Sequence, residues 1–390
     1  MPIAIDKIDT FIVDIPTIRP HVLSMTSISR QVMMLLRIHS SDGVIGVGEG
    51  TTIGGLAYGN ESPEGMKLAI DRYCAPLLLG QSATDPAALM ARVREQVVGN
   101  HFAKNALETA LLDAAAQRAG VPLSTLLGGR VRDRLPVLWT LASGETASDI
   151  DEAQAMIASG RHNIFKLKIG KRMMRDDVAH VAAIKRALGD KASVRVDVNQ
   201  AWDFKTAAHG VRLLADSGVD LIEQPLNHYD REGMRELTRI SPIAVMADEA
   251  LRGPHDAFDF ARNRAADIFS IKPAQAGGLF AARDAAAIAG AAHIDVYGGT
   301  MLEGGIGTTA SAHLFASLPA LRWGTELFGP LLLTEEILVE PLDYRDFALE
   351  VPAGPGLGVT LDMDKVNRFR RDGPSRTTVG GTGSIIKEIA

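Results

Sequence analysis

At 390 residues the chain is too long for one small core, which suggests two domains. Hydrophobic residues at 46% and charged residues at 23% match an ordinary soluble globular protein, and a net charge of −6 leaves no basic footprint for nucleic acid. No apolar run approaches the ~18 residues of a membrane span, and the only cysteine, Cys74, excludes an intrachain disulfide and any cysteine-based zinc site. The first residues, Met1-Pro2-Ile3-Ala4-Ile5-Asp6-Lys7, lack a basic segment followed by an apolar core, so no secretory signal is expected. A reducing cytoplasm fits best, with Cys74 as a buried small hydrophobe.

The N-terminal part reads as α+β. Ile8–Ile15 and Val32–Ile38 are β-branched, apolar runs, and Ser40-Ser41-Asp42-Gly43 predicts a hairpin turn. Gly46-Val47-Gly48-Glu49-Gly50 lacks the third glycine of a dinucleotide-binding fingerprint and reads as a turn. Ala87–Val98 and Ala103–Ala119 have helical spacing, and Gly120-Val121-Pro122 stops the second helix.

From Leu135 the rhythm changes. Short apolar runs alternate with alanine-rich helical stretches: Leu135–Leu141, Ile164–Ile169, Ser193–Val198, Asp220–Glu223, Ile243–Ala247, Asp267–Ile271, His293–Tyr297 and Leu321–Leu327. A repeat of about 25 to 30 residues is the size of one βα unit of a (β/α)₈ barrel. The fold class expected is α/β, a TIM-like barrel with an N-terminal α+β domain. The boundaries are 1–130 for the first domain, 131–330 for the barrel, 331–370 for a segment that returns to the first domain, and 371–390 for a polar, glycine-rich, disordered tail.

Four successive runs end in a charge: Asp197, Glu223, Asp248 and Lys272. Equivalent strand ends converge at the C-terminal face of a barrel, where active sites sit. Three converging carboxylates need a cation to stay ionised, and an all-oxygen donor set suits Mg²⁺ or Mn²⁺. Phe165-Lys166-Leu167-Lys168-Ile169 points two lysines to one face, an unusual arrangement in an apolar strand. Their mutual repulsion and a nearby cation should lower the pKa of Lys168 and suit it to proton transfer. Lys272 faces the site from across the barrel. Glu326, at the end of the eighth run, would orient a lysine or substrate. Glu249 adjoins Asp248 but turns away from the metal position. Gly298-Gly299-Thr300-Met301 and Gly304-Gly305-Ile306-Gly307 offer backbone amides to a substrate carboxylate, or form a plain tight loop. The histidines show no metal-ligand spacing.

These residues resemble the muconate lactonizing subgroup of the enolase superfamily. Within it, muconate cycloisomerases are resembled at Thr51–Asn60, Trp139–Gly144, Phe165–Gly170, Tyr297–Gly304 and Gly324–Pro330. The resemblance implies that the N-terminal domain caps the barrel. It makes Asp197, Glu223 and Asp248 the ligands of one Mn²⁺ or Mg²⁺ ion, and Lys168 the proton-carrying acid/base. Lys166 would tune Lys168 and contact a substrate carboxylate, with Lys272 on the opposite face and Glu326 a further catalytic acid. Ile53 and Tyr58 would contact substrate from the capping loop, with Asn199, Met301 and Phe328 as further substrate-binding residues. The implied reaction is reversible lactonisation of cis,cis-muconate, a small dicarboxylate, to muconolactone through a metal-stabilised enolate, in aromatic (catechol/β-ketoadipate) catabolism. An octameric homo-oligomer is implied as well. Chloromuconate cycloisomerisation, dipeptide epimerisation, N-acylamino acid racemisation and o-succinylbenzoate synthesis are the alternatives. Pro273 and Gln275 depart from the pattern of close relatives. A non-catalytic barrel would have no need of paired lysines facing three acids, and a metal-dependent aldolase would more often place histidines at the strand ends.

Overall fold

A computed structural model describes residues 3–23 and 26–371, together with the backbone of 375–379 and 385–389. The N-terminal unit is an antiparallel sheet built on Ile5–Val22, Ser27–Ser40 and Ile45–Thr51. Residues 40–44 turn where expected, with Ser40 N donating to Val44 O at 3.0 Å. Helices Pro63–Ala69, Pro86–Gln96 and His101–Ala119 follow, and the last ends at Gly120 with φ +67°.

The Gly46–Gly50 segment is not a turn. It lies within the strand Ile45–Thr51, and helix His101–Ala119 crosses it so closely that a Cβ at Gly46 would stand 1.9 Å from Ala110 O, and one at Gly48 2.0 Å from Ala106 O. The glycines are there for close backbone approach.

The barrel follows in register. Strands Trp139–Leu141, Ile164–Lys168, Ser193–Asp197, Leu221–Glu223, Ala244–Ala247, Ile268–Ile271 and Asp295–Gly298 form one parallel sheet in chain order. A helix follows each, the last being Gly305–Ser317, whose residues 305–316 are all buried. The eighth position is reduced to Thr325, which bridges in parallel to both Gly298 and Val137 and closes the ring. The first apolar run splits in two: Arg134–Pro136 pairs antiparallel with Ala348–Glu350 outside the barrel, and the chain enters the barrel from Val137, with Trp139–Leu141 pairing with the next strand. Pro136 divides them.

Residues beyond 331 return to the first strand. Leu333 and Arg370 bridge to Thr17 and Val13, and Leu333, Ile337 and Val366 pack with Phe11, Val13, Ile15, Met33 and Leu35. The tail differs from the disorder expected of 371–390. Ser375–Val379 pairs antiparallel with Lys7–Thr10 and with Ile385–Ile389. These two segments carry the β-branched residues Thr377, Thr378, Val379, Ile385 and Ile386, and the first strand offers them an edge. The rest of that tail expectation lies outside the described residues. Among the described residues no helix is long and apolar enough to cross a membrane.

Candidate active site and metal centre

The parallel register carries the charged strand ends to one place. Lys168 is the register partner of Asp197, and Asp197 of Glu223. One carboxylate oxygen from each of Asp197, Glu223 and Asp248 lies within 4.8 Å of the others, and all three side chains are buried. Gln224 supports the third ligand: its side-chain oxygen accepts from the amides of Asp248 and Ala250 at 2.9 and 3.2 Å.

Each lysine is paired with an acid. Lys168 Nζ lies 2.5 Å from Asp197 Oδ2, and Lys272 Nζ lies 2.7 Å from Asp248 Oδ2. Lys166, with no exposed surface, stands 2.5 Å from Glu223 Oε2 and 2.6 Å from Glu326 Oε2. Tyr297 OH and Thr140 Oγ1 complete the surroundings of Glu326 at 3.1 and 3.4 Å. Tyr58 OH reaches down from the capping loop to within 2.8 Å of Asp248 Oδ2 and 2.7 Å of Lys272 Nζ.

The expected lowering of the Lys168 pKa is not what the chain alone produces. Burial pushes the ammonium down, but Asp197 and Glu326 outweigh it and hold Lys168 above its ordinary range. Lys166 is raised in the same way, its burial overcome by Glu223 and Glu326. Glu223 moves far up, first because it is buried and then because Asp197 and Asp248 are like charges; Lys166 offsets only part of this. Asp248 and Glu326 are held low, as Lys272 and Lys166 respectively overcome the effect of burial.

The donor set fits a hard divalent cation. Three oxygen donors converge, Glu223 Oε1 lacks a hydrogen-bond partner, and Glu223 is disfavoured as an anion without added positive charge. Asp197, Glu223 and Asp248 would hold the ion.

A narrow cavity opens onto these groups, lined by His21, Leu23, Ile53, Tyr58, Lys168, Asp197, Glu223, Asp248, Lys272, Thr300, Leu302 and Glu326. Ile53 and Tyr58 are part of its wall, on the capping-domain side. Asn199, Met301 and Phe328 are not part of this wall. Asn199 is buried and orients carboxylates instead: its amide and side chain donate to Asp197 at 2.8 and 3.2 Å, and its side chain donates to Glu249 Oε1 at 3.1 Å. Met301 is turned into the protein, and its neighbours Thr300 and Leu302 face the cavity. Phe328 is fully buried behind the wall, 5.1 Å from the Trp139 ring and 6.3 Å from that of His21. Glu249 is buried beside Asp248, and burial together with that neighbour pushes its carboxyl up to about 8.

The Gly304 and Gly307 amides are not free for a substrate. Gly304 N and Gly307 N donate to the chain's own Glu49 at 2.7 and 2.8 Å. Sequence reasoning also missed His21, whose imidazole is driven down to about 3 by burial and the nearby Lys168. Gln275, singled out as a departure from close relatives, donates to Asp248 Oδ1 at 3.0 Å. Nothing local in the sequence marks His21, because it reaches the site from the far end of a capping strand.

Residues 7–128 match the mandelate racemase/muconate lactonizing enzyme N-terminal domain, and residues 148–365 match the enolase C-terminal domain-like family. The chain is 59% identical to muconate cycloisomerase 1-2 of Acinetobacter lwoffii, over 95% of this chain and 96% of that protein. It is 44% identical to a chloromuconate cycloisomerase of Delftia acidovorans, over 94% of this chain and 99% of that one. The crystal structure of muconate lactonizing enzyme from Pseudomonas fluorescens complexed with muconolactone superimposes with a TM-score of 0.94 at 57% identity, covering 95% of this chain and 100% of that one.

Proposed function

The chain belongs to the mandelate racemase/muconate lactonizing enzyme family of the enolase superfamily, and from that premise we propose that it catalyses muconate cycloisomerisation, the reversible closure of cis,cis-muconate to muconolactone. One observation carries this reading: the bracket of Lys168–Asp197 and Lys272–Asp248 around a three-carboxylate cluster occurs in a chain 59% identical, over nearly its whole length, to a muconate cycloisomerase.

Enolase-superfamily enzymes use a divalent metal; here Mn²⁺ or Mg²⁺ suits the oxygen donors. When bound, the cation withdraws charge from one carboxylate of the dianion and makes the attached diene electrophilic. An oxygen of the other carboxylate forms the new C–O bond, and the electron pair it displaces moves toward the first carboxylate. Lys168 gives a proton from Nζ to the α-carbon and is recharged by solvent, so one proton is taken up per lactone formed. Lys166 has no exposed surface and is not part of the cavity wall; instead of the expected contact with a substrate carboxylate, it is fixed between Glu223 and Glu326 and adds its positive charge through them. Lys272 supplies charge from the opposite side and, with Tyr58, steadies Asp248. Ile53 and Leu23 exclude water from the reacting face.

The test is loss of muconate ultraviolet absorbance with Mn²⁺- and Mg²⁺-loaded enzyme, run beside chloromuconates. Faster turnover of chloromuconates would assign the chain to that activity instead. Deuterium exchange into N-acyl amino acids or dipeptides without muconate turnover would move it to a racemase or epimerase, because lysines on opposite faces also suit α-proton exchange. Homo-octameric assembly in the cytoplasm completes the reading, and sedimentation of the purified enzyme tests the assembly.

A further inference from the structure

The loop after the seventh barrel strand is gripped from the capping domain by two buried side chains. Gln31 Nε2 donates to the carbonyls of Met301 and Leu302, both at 3.0 Å. Glu49, on the neighbouring strand, accepts from the amides of Gly304 and Gly307, and the Thr51 hydroxyl donates to the same carboxylate at 2.5 Å. Gln31 and Glu49 are each 1% exposed, and neither touches the cavity. The barrel side adds its own restraint: Glu303 accepts from Met301 N at 2.9 Å and from the Thr300 hydroxyl.

Between the two grips lies Leu302 with φ +60°, a left-handed backbone that leucine avoids. Such a conformation persists only where its surroundings over-determine it, and it gathers at functional sites. Leu302 lines the cavity. Ile53 and Tyr58 line it too, and they follow directly from the strand that carries Glu49 and Thr51. The same two strands thus deliver the capping-domain wall and hold the barrel wall.

We propose that Gln31 and Glu49 are positioning residues for the reaction, a clamp that keeps Leu302 in its strained conformation so that the two walls of the cavity meet in one register around the dicarboxylate. The role of the clamp in turnover rests on the cycloisomerase reading; its structural half does not. Losing the clamp lets the loop relax away from the substrate while the metal ligands, on other strands, stay in place.

The experiment compares Gln31→Met and Glu49→Gln, singly and together, in Mn²⁺-loaded enzyme. Each single variant should raise KM for cis,cis-muconate about tenfold with a smaller fall in kcat, in line with the loss of hydrogen bonds from buried partners. Mn²⁺ affinity should be unchanged. Amide exchange over residues 301–307 should quicken in both. The double variant should lose less than the product of the two singles, because both act on one loop. Wild-type KM and unchanged amide exchange in both single variants would overturn the proposal, as would independent, multiplying losses. Should Gln31→Met fail to fold, Glu49→Gln decides alone. If the unmodified enzyme does not turn over muconate, the substrate reading falls, and amide exchange still decides the clamp.

Discussion

Lys168 and Asp197 are register partners on adjacent parallel strands, with Nζ and Oδ2 2.5 Å apart. The pairing aims the ammonium along the cavity wall instead of leaving it free to rotate. Lys168→Ala removes the proposed proton donor, while Asp197 keeps the donors from Asn199 at 2.8 and 3.2 Å. We expect kcat to fall by about 10² to 10⁴, with Mn²⁺ binding retained or tightened by loss of a competing cation. Muconate absorbance and Mn²⁺ titration check the two halves. Turnover within a factor of about two of wild type would remove Lys168 from the proton-carrying role.

The metal centre makes a separate prediction. Asp197→Ala and Glu223→Ala should each abolish metal-dependent turnover. Metal that binds only the folded chain stabilises it by about 2.7 kcal/mol at a hundredfold excess over Kd. Added Mn²⁺ should therefore raise Tm in the unmodified protein and leave it unmoved in Glu223→Ala. Full activity of the native enzyme in a chelator would show that the carboxylates serve some other purpose.

The barrel was legible because its signal is local and repeated. Each βα unit writes an apolar run and a helix within about 30 residues, and four successive ones add a terminal charge, so Asp197, Glu223, Asp248 and Lys272 could be placed together from spacing alone. Lys166 and Lys168 could be placed by strand alternation. What could not be read depends on contacts between distant parts of the chain. Gln31 meets Met301 and Glu49 meets Gly304 across more than 250 residues, and nothing near either residue announces it. The same limit hid His21. Asn199 and Phe328 were named only through the resemblance: Asn199 has φ +44° and folds its side chain back onto Asp197, while Phe328 packs on the ring of Trp139. Gly46 and Gly48 look like turn residues, and only the crossing helix shows why they lack side chains.

Two buried histidines away from the site predict acid sensitivity. His162 Nδ1 pairs with Val137 O at 2.8 Å, and His313 Nε2 pairs with Leu357 O at 3.0 Å. Burial pushes both imidazoles down to about 4 from an ordinary 6.5. The unfolded chain binds these protons first, so stability is intact above pH 6.5 and is lost as pH falls toward 4. Each group contributes on the order of 3 kcal/mol over that window. His162→Asn and His313→Gln keep a donor near the bonded nitrogen and remove the titration. Urea midpoints between pH 7 and 4.5 should fall less steeply in each variant than in the native chain. Parallel curves would mean that the imidazoles are already accommodated as cations.

Gly46 allows the cost of helix–strand contact to be separated from backbone strain. Its Cβ would stand 1.9 Å from Ala110 O and 2.9 Å from the Ala114 side chain, and its backbone is not in the left-handed region. Gly43, in the hairpin turn nearby, is the opposite case: φ is +84° and nothing lies within 4 Å. Gly43→Ala should therefore report conformational strain alone, about 1 kcal/mol. Gly46→Ala must move a helix backbone, an overpacking that costs about 3 kcal/mol or more. That helix also carries Glu108, which accepts from Phe280 N at 2.9 Å and so ties the capping domain to the barrel helix that follows Lys272. Gly46→Ala should then lower both the urea midpoint and kcat/KM, whereas Gly43→Ala should lower only the midpoint. Equal effects of the two substitutions would show that the sheet yields to the added methyl group and that the close approach is not what fixes the capping domain on the barrel.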